Sequence, residues 1–165
     1  MTKRRTGHGW VGPEFRISVD FRAPLDFAFA WCTDYTPEDA GLEGEKYERK
    51  IIERTPRRVI FEDLEESKTG WDLSRDVVVL RPPNRWHMEG VGNYRDVKAD
   101  YVLTSLPDGR TRLDLRWSRR PKTSDAKKRT KAEREASATR AWKRFGAAME
   151  RDYQRSRSAR RDRTK

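Results

Sequence analysis

Two histidines, His8 and His87, and one cysteine, Cys32, are the residues best suited to metal binding or covalent chemistry. They are scattered through the chain. A lone histidine cannot build a His-rich zinc site, and a single cysteine excludes an internal disulfide and a multi-cysteine metal site. Cys32 sits in an apolar stretch and reads as a small core residue. His8 lies in a glycine-rich start. His87 alternates with Trp86 and Met88; if those two point inward, His87 faces out, away from general-base work. The chain has no Ser-His-Asp order, no Walker loop and no GxGxxG. Gly90-Val91-Gly92 follows one strand and precedes another, so it reads as a bulge or sharp bend in a curved sheet, not a dinucleotide loop. Asp63, Arg75, Glu53 and Glu89 are candidates for acid/base or anchoring groups inside a cavity, where burial raises a carboxylate's pKa. Salt bridges on the sheet face are their favoured role. Arg49, Glu53 and Asp63 share a strand face with bulky residues. No catalytic residue, cofactor or metal is assigned.

The stronger chemical asset is aromatic bulk. Phe61, Trp71, Trp86, Met88, Tyr101, Trp117, Trp142, Phe145 and Met149, with Trp31 and Tyr35 at the mouth, are the candidate lining of an apolar pocket. Such pockets are mostly apolar, with a few placed polar groups. The competing reading is that these residues simply form the core.

Positioning them requires a helix and a sheet. Residues 124–157 contain no Pro and one Gly, Gly146, and are rich in Ala, Lys, Arg and Glu, all good helix formers. Ala138, Trp142, Phe145, Met149 and Tyr153 recur at helical spacing and form one stripe. That predicts a long C-terminal helix from Ser124 to Arg157 with one buried face. Glu14 to Arg22 alternates Phe15, Ile17, Val19 and Phe21 with polar residues, the period of a half-buried strand. Ala23-Pro24 stops it. A helix is expected from Leu25 to Asp34, with Pro24 starting it. A second short helix is expected over 35–41, with Thr36 as N-cap, Pro37 first and Gly41 at its end. Strands are then expected over 46–54, 57–66, 71–81, 85–94, 96–106 and 110–119, separated by turns such as Pro107-Asp108-Gly109. Short turns favour an antiparallel meander, and the long helix is the one element able to cover its apolar face.

This element order resembles the START/Bet v 1-like (SRPBCC) superfamily, as does the strand running into Ala23-Pro24, with Phe29, Trp31 and Asp34-Tyr35 beyond. The polyketide cyclase/dehydrase or lipid-transport-like proteins are the branch it resembles most. The resemblance covers residues 14–156. It implies an α+β helix-grip fold, a curved antiparallel sheet of about seven strands wrapped around the C-terminal helix, with two short helices after strand 1. It also implies a cavity binding a hydrophobic or aromatic small molecule, as carrier, sensor or cyclase-like protein.

Residues 1–13, with Lys3-Arg4-Arg5, and 157–165 read as basic, flexible tails. The net charge of +11 is uneven: residues 119–165 hold 18 Lys/Arg against six Asp/Glu. The alternative function is therefore non-specific contact with nucleic acid or anionic membrane through residues 122–131 and 155–165. No RNP-like aromatic pair or helix-turn-helix spacing supports base reading. No apolar run approaches the ~20 residues needed to span a bilayer. No apolar signal core follows the basic start, so a cytoplasmic protein is expected.

Overall fold

The computed structural model describes residues 12–68, 70–122 and 129–162. Its elements are β1 (Glu14–Phe21), α1 (Leu25–Cys32), α2 (Asp39–Glu43), β2 (Glu48–Thr55), β3 (Arg58–Ser67), β4 (Gly70–Arg81), β5 (Arg85–Gly92), β6 (Arg95–Leu106), β7 (Arg110–Pro121) and α3 (Lys131–Asp162). A 3-10 turn, Pro107–Gly109, joins β6 to β7, with Asp108 at a positive φ of 64°. The strands form one seven-stranded antiparallel sheet in the order β1-β7-β6-β5-β4-β3-β2. Strands β2 to β7 are a meander. β1 joins the far side of β7, from Phe15 opposite Trp117 to Phe21 opposite Thr111. This is the helix-grip architecture the sequence pointed to. No described helix is long and apolar enough to cross a membrane.

Period-two alternation aims one side of β1 and of β3 to β7 at the core beneath α3. Val19, Phe21, Val59, Phe61, Val78, Trp86, Tyr101, Leu103, Leu113 and Leu115 bury there. Each large apolar side chain removed from water contributes about 1.5–3 kcal/mol. Met149 anchors the α3 stripe and is fully buried, and Trp142 and Tyr153 pack beside it. Gly146 lets the helix approach β1 closely: a Cβ there would meet the Phe21 ring at 2.8 Å. Between β1 and α1, the buried Thr111 hydroxyl donates to the Ala23 carbonyl at 2.8 Å.

Several boundaries differ from expectation. Pro24 is the N-cap of α1, not its first residue, and α1 ends at Cys32. The second helix starts at Asp39 instead of after Thr36, and runs past Gly41. It ends where Gly44 takes a positive φ of 75°. There the Glu45 N–H donates to Ala40 O at 2.9 Å and the Gly44 N–H to Gly41 O at 3.3 Å, a Schellman closure. The long helix begins at Lys131, not Ser124. A capping box fixes this start: the Glu133 carboxylate accepts from the Thr130 N–H at 2.7 Å, and the Thr130 hydroxyl from the Glu133 N–H at 3.2 Å. The part of the expected helix at 124–128 lies outside the described residues, as does most of the N-terminal tail. At the other end α3 continues to Asp162, so 157–162 extend the helix instead of forming a disordered tail. Of the bulge or sharp bend expected at Gly90 and Gly92, the bulge is absent: β4 pairs without a register shift from Ser74 opposite Gly92 to Asp76 opposite Gly90. The bulge lies instead in β2, between Ile51 and Glu53.

Candidate functional site

A cavity of about 270 Å³ lies between the sheet, α1, α2 and α3. Seven of the eleven sequence candidates line it: Trp31, Tyr35, Phe61, Met88, Tyr101, Trp142 and Phe145. Their rings pack in series. Trp31 meets Phe145 edge-on at 6.1 Å, Phe145 lies 5.2 Å from Trp142, and Trp142 lies 5.9 Å from Tyr101. Opposite them, Tyr35 stacks on Phe61 at 5.1 Å. The Trp31 indole N–H donates to Asp152 of α3 at 2.9 Å, which ties the first helix to the last.

The other four candidates lie elsewhere. Trp86 is buried behind Tyr101, stacked on it at 4.6 Å, and Met149 is core beneath α3. Trp117 lines a neighbouring chamber. Trp71 is 55% exposed. The reason is the alternation of β4, which turns Asp72, Ser74 and Asp76 into the cavity and so turns Trp71, Leu73 and Arg75 out.

The polar end of the cavity is organised by Arg49 and Asp76. Arg49 is almost fully buried and donates from Nε and Nη2 to the two oxygens of Asp63, both at 2.8 Å. It also reaches Asp39 and the Tyr47 hydroxyl, and its guanidinium stacks 4.1 Å from the Phe61 centroid. Burial opposes the charge, yet the hydrogen bonds and charge of Asp63 prevail and hold the Arg49 pKa above its ordinary value. Asp76 faces Gly90 across the β4–β5 pair. Among the described residues, its hydrogen bond comes from the Ser74 hydroxyl, to Oδ2 at 2.8 Å. Burial, against that hydrogen bond, pushes its pKa up to about 6. Glu43, accepting from Tyr47, is likewise pushed up by burial to about 7. Burial holds the Cys32 thiol well above its usual range, which favours its neutral form.

The charged candidates divide. Asp63 lines the cavity in its pair with Arg49. Arg75 pairs with Glu62, Glu53 with Arg58, and Glu89 with His87 and Lys98 on the outer face. Glu53 does not share the Arg49 face because the β2 bulge intervenes. His87 faces out as expected, 2.8 Å from Asp100. Arg49 was visible in sequence as a charge among bulky residues. Asp76, Asp39, Glu43, Asp72 and Arg95 carried no local signal. Among the described residues, no group of three or more His, Cys, Asp or Glu is arranged to hold a metal ion.

A second chamber of about 350 Å³ shares the Met88, Tyr101, Trp142 and Phe145 walls and continues past Trp117 and Leu115 to Arg119, Arg129 and Arg134. Elsewhere in the basic segments, Lys122 bonds Asp96 at 2.7 Å and Gly92 O at 2.8 Å, and Arg155 pairs with Asp152. These two of the charges expected to face an anionic polymer are thus paired within the chain.

The fold is that of the START/Bet v 1-like superfamily. TTHA0849 from Thermus thermophilus superposes with a TM-score of 0.66 at 13% identity, over 83% of this chain and 97% of that one. The Zhui aromatase/cyclase from Streptomyces sp. R1128 matches at 0.64 and 15%, over 87% and 94%. A START superfamily protein from Mycobacterium smegmatis matches at 0.61 and 12%, over 86% and 97%. No family model matches the sequence, and no curated protein does.

Proposed function

We propose that the domain binds a small aromatic or otherwise apolar molecule between the sheet and α3, as a carrier, sensor or cyclase-like protein. The observation that carries this reading is the cavity itself. Seven aromatic or Met side chains form its walls, and the Asp76 carboxyl stands at its polar end, held by Ser74 through Oδ2. A ring system slides between such walls, and a hydroxyl or amine substituent donates to Asp76. The shared fold with an aromatase/cyclase and a START superfamily protein supports the class of ligand.

Native mass spectrometry of the purified protein is expected to show a bound small molecule, or the neutral dye N-phenyl-1-naphthylamine is expected to brighten on binding. Met88→Trp, which fills the shared wall, is expected to abolish dye binding with an unchanged circular dichroism spectrum. Absence of both a co-purified molecule and any dye response would sink the reading.

A further inference from the structure

The second chamber ends in a concentration of positive charge that ligand burial by aromatic walls does not explain. Arg119 comes from the end of β7, Arg129 stands just before α3, and Arg134 lies in the first turns of α3. They meet at the end of this chamber, whose wall takes in both the C-terminal end of β7 and the start of α3. Arg119 is half-buried, and it makes no side-chain hydrogen bond or ion pair with any described residue. Among the described residues, the charges that act on it most strongly are like charges. Burial and then Arg134, Arg95 and Arg129 push its pKa down to about 10, with Asp72 a weaker opposing influence. Glu43 is the one carboxylate among the described residues lining this chamber, and it accepts from Tyr47. A half-buried arginine held among like charges at an apolar mouth is arranged for an external anion, which the guanidinium fork binds through two parallel N–H donors.

We propose that Arg119, Arg129 and Arg134 form an oxyanion site. It takes the carboxylate, sulfonate or phosphate of an apolar ligand whose body lies along Trp117, Trp142 and Phe145. The site rests on the hydrophobic-ligand reading above and adds a charge requirement to it. An amphiphilic ligand then enters body first toward Asp76 and stops with its anionic end at the three arginines.

Two dyes that differ by a sulfonate separate the claims: neutral N-phenyl-1-naphthylamine and anionic 8-anilino-1-naphthalenesulfonate. The full chain is expected to bind both, and the sulfonate dye roughly ten- to hundred-fold tighter at low salt, the range of a charge-assisted hydrogen-bonded pair. The difference is expected to shrink as salt rises. Arg119→Gln with Arg134→Gln is expected to remove most of the sulfonate preference and leave the neutral dye within about twofold, which also reports that the variant is folded. Arg129→Gln, at an exposed position, is expected to weaken the sulfonate dye alone. Arg140→Gln with Lys143→Gln, elsewhere on α3, is the control expected to change neither. Equal affinity for the two dyes in the wild type overturns the oxyanion site and leaves the hydrophobic cavity standing. So does an equal loss in the control, which means the dye senses surface charge or nucleic-acid-like phosphate contacts instead. Failure of both dyes, together with the absence of a co-purified molecule, overturns the underlying reading and the site with it.

Discussion

Gly90 and Asp76 face each other across β4 and β5, and the absence of a side chain at residue 90 makes room for the carboxylate. A Cβ at Gly90 would sit 3.2 Å from Asp76 Cγ and closer still to Oδ1. Gly90→Ala is therefore expected to lower stability by about 1–3 kcal/mol, the usual cost of overpacking. The same change in an Asp76→Ala background is expected to cost much less, because the clashing atoms are gone. A thermal-denaturation cycle on the four proteins checks this, and additive losses would show that the two residues do not compete for the same space.

Asp76 also makes stability depend on pH. Burial raises its folded pKa from 3.8 to about 6, so folding favours the protonated acid. Its contribution is most favourable below pH 4 and is lost as pH rises through about 6, where the buried group must ionise. The gap of about two units corresponds to at most about 3 kcal/mol at neutral pH. Asp76→Asn keeps an acceptor for Ser74 and removes the charge. It is expected to melt higher than wild type at pH 7.5, with most of the difference gone at pH 4. Because Glu43 titrates nearby, the difference between the two proteins is the quantity to follow.

Arg49 holds the opposite role at the same end of the cavity. It is the partner of Asp63 and Asp39, and it also packs on Phe61. Arg49→Leu leaves two partly buried carboxylates without their cation and is expected to cost about 3–5 kcal/mol. Arg49→Lys keeps the charge, loses the two-pronged contact with Asp63, and is expected to recover only part of that. Urea denaturation of the three proteins at pH 7.5 orders them. A Lys variant as stable as wild type would show that charge alone matters here.

The fold was legible because its signals are periodic. The alternation of β1 and β7 and the α3 stripe each identify a buried face within one segment. The aromatic wall was legible for the same reason. What escaped was set by distant pairing. Polar residues alternate with Trp71 and Leu73 in β4, and local pattern alone places the aromatic inside, whereas the sheet puts Asp72, Ser74 and Asp76 there. The bulge at Ile51/Glu53 shifts which β2 residues face inward, and nothing near Glu53 announces it. The α3 start was written in Thr130 and Glu133, but helix-forming composition upstream masked that capping signal.

Helix propensity and packing oppose each other at Gly146. Ala is about 1 kcal/mol better than Gly in a helix interior, so Gly146→Ala in α3 should stabilise if propensity alone ruled. Packing acts the other way. A Cβ at Gly146 would lie 2.8 Å from Phe21 Cδ1 and 3.0 Å from Cε1. Phe21 is fully buried, and its ring lies 6.4 Å from Trp142, so it has little space to withdraw. Gly146→Ala is expected to destabilise the domain by about 1–3 kcal/mol despite the helical gain. Adding Phe21→Leu relieves the contact, and the pair is expected to be more stable than the sum of the single changes allows. Because Trp142 and Phe145 sit on the same stripe as Gly146, the single variant is also expected to shift the tryptophan emission. A Gly146→Ala protein that melts higher than wild type would place α3 farther from β1 than the structure has it.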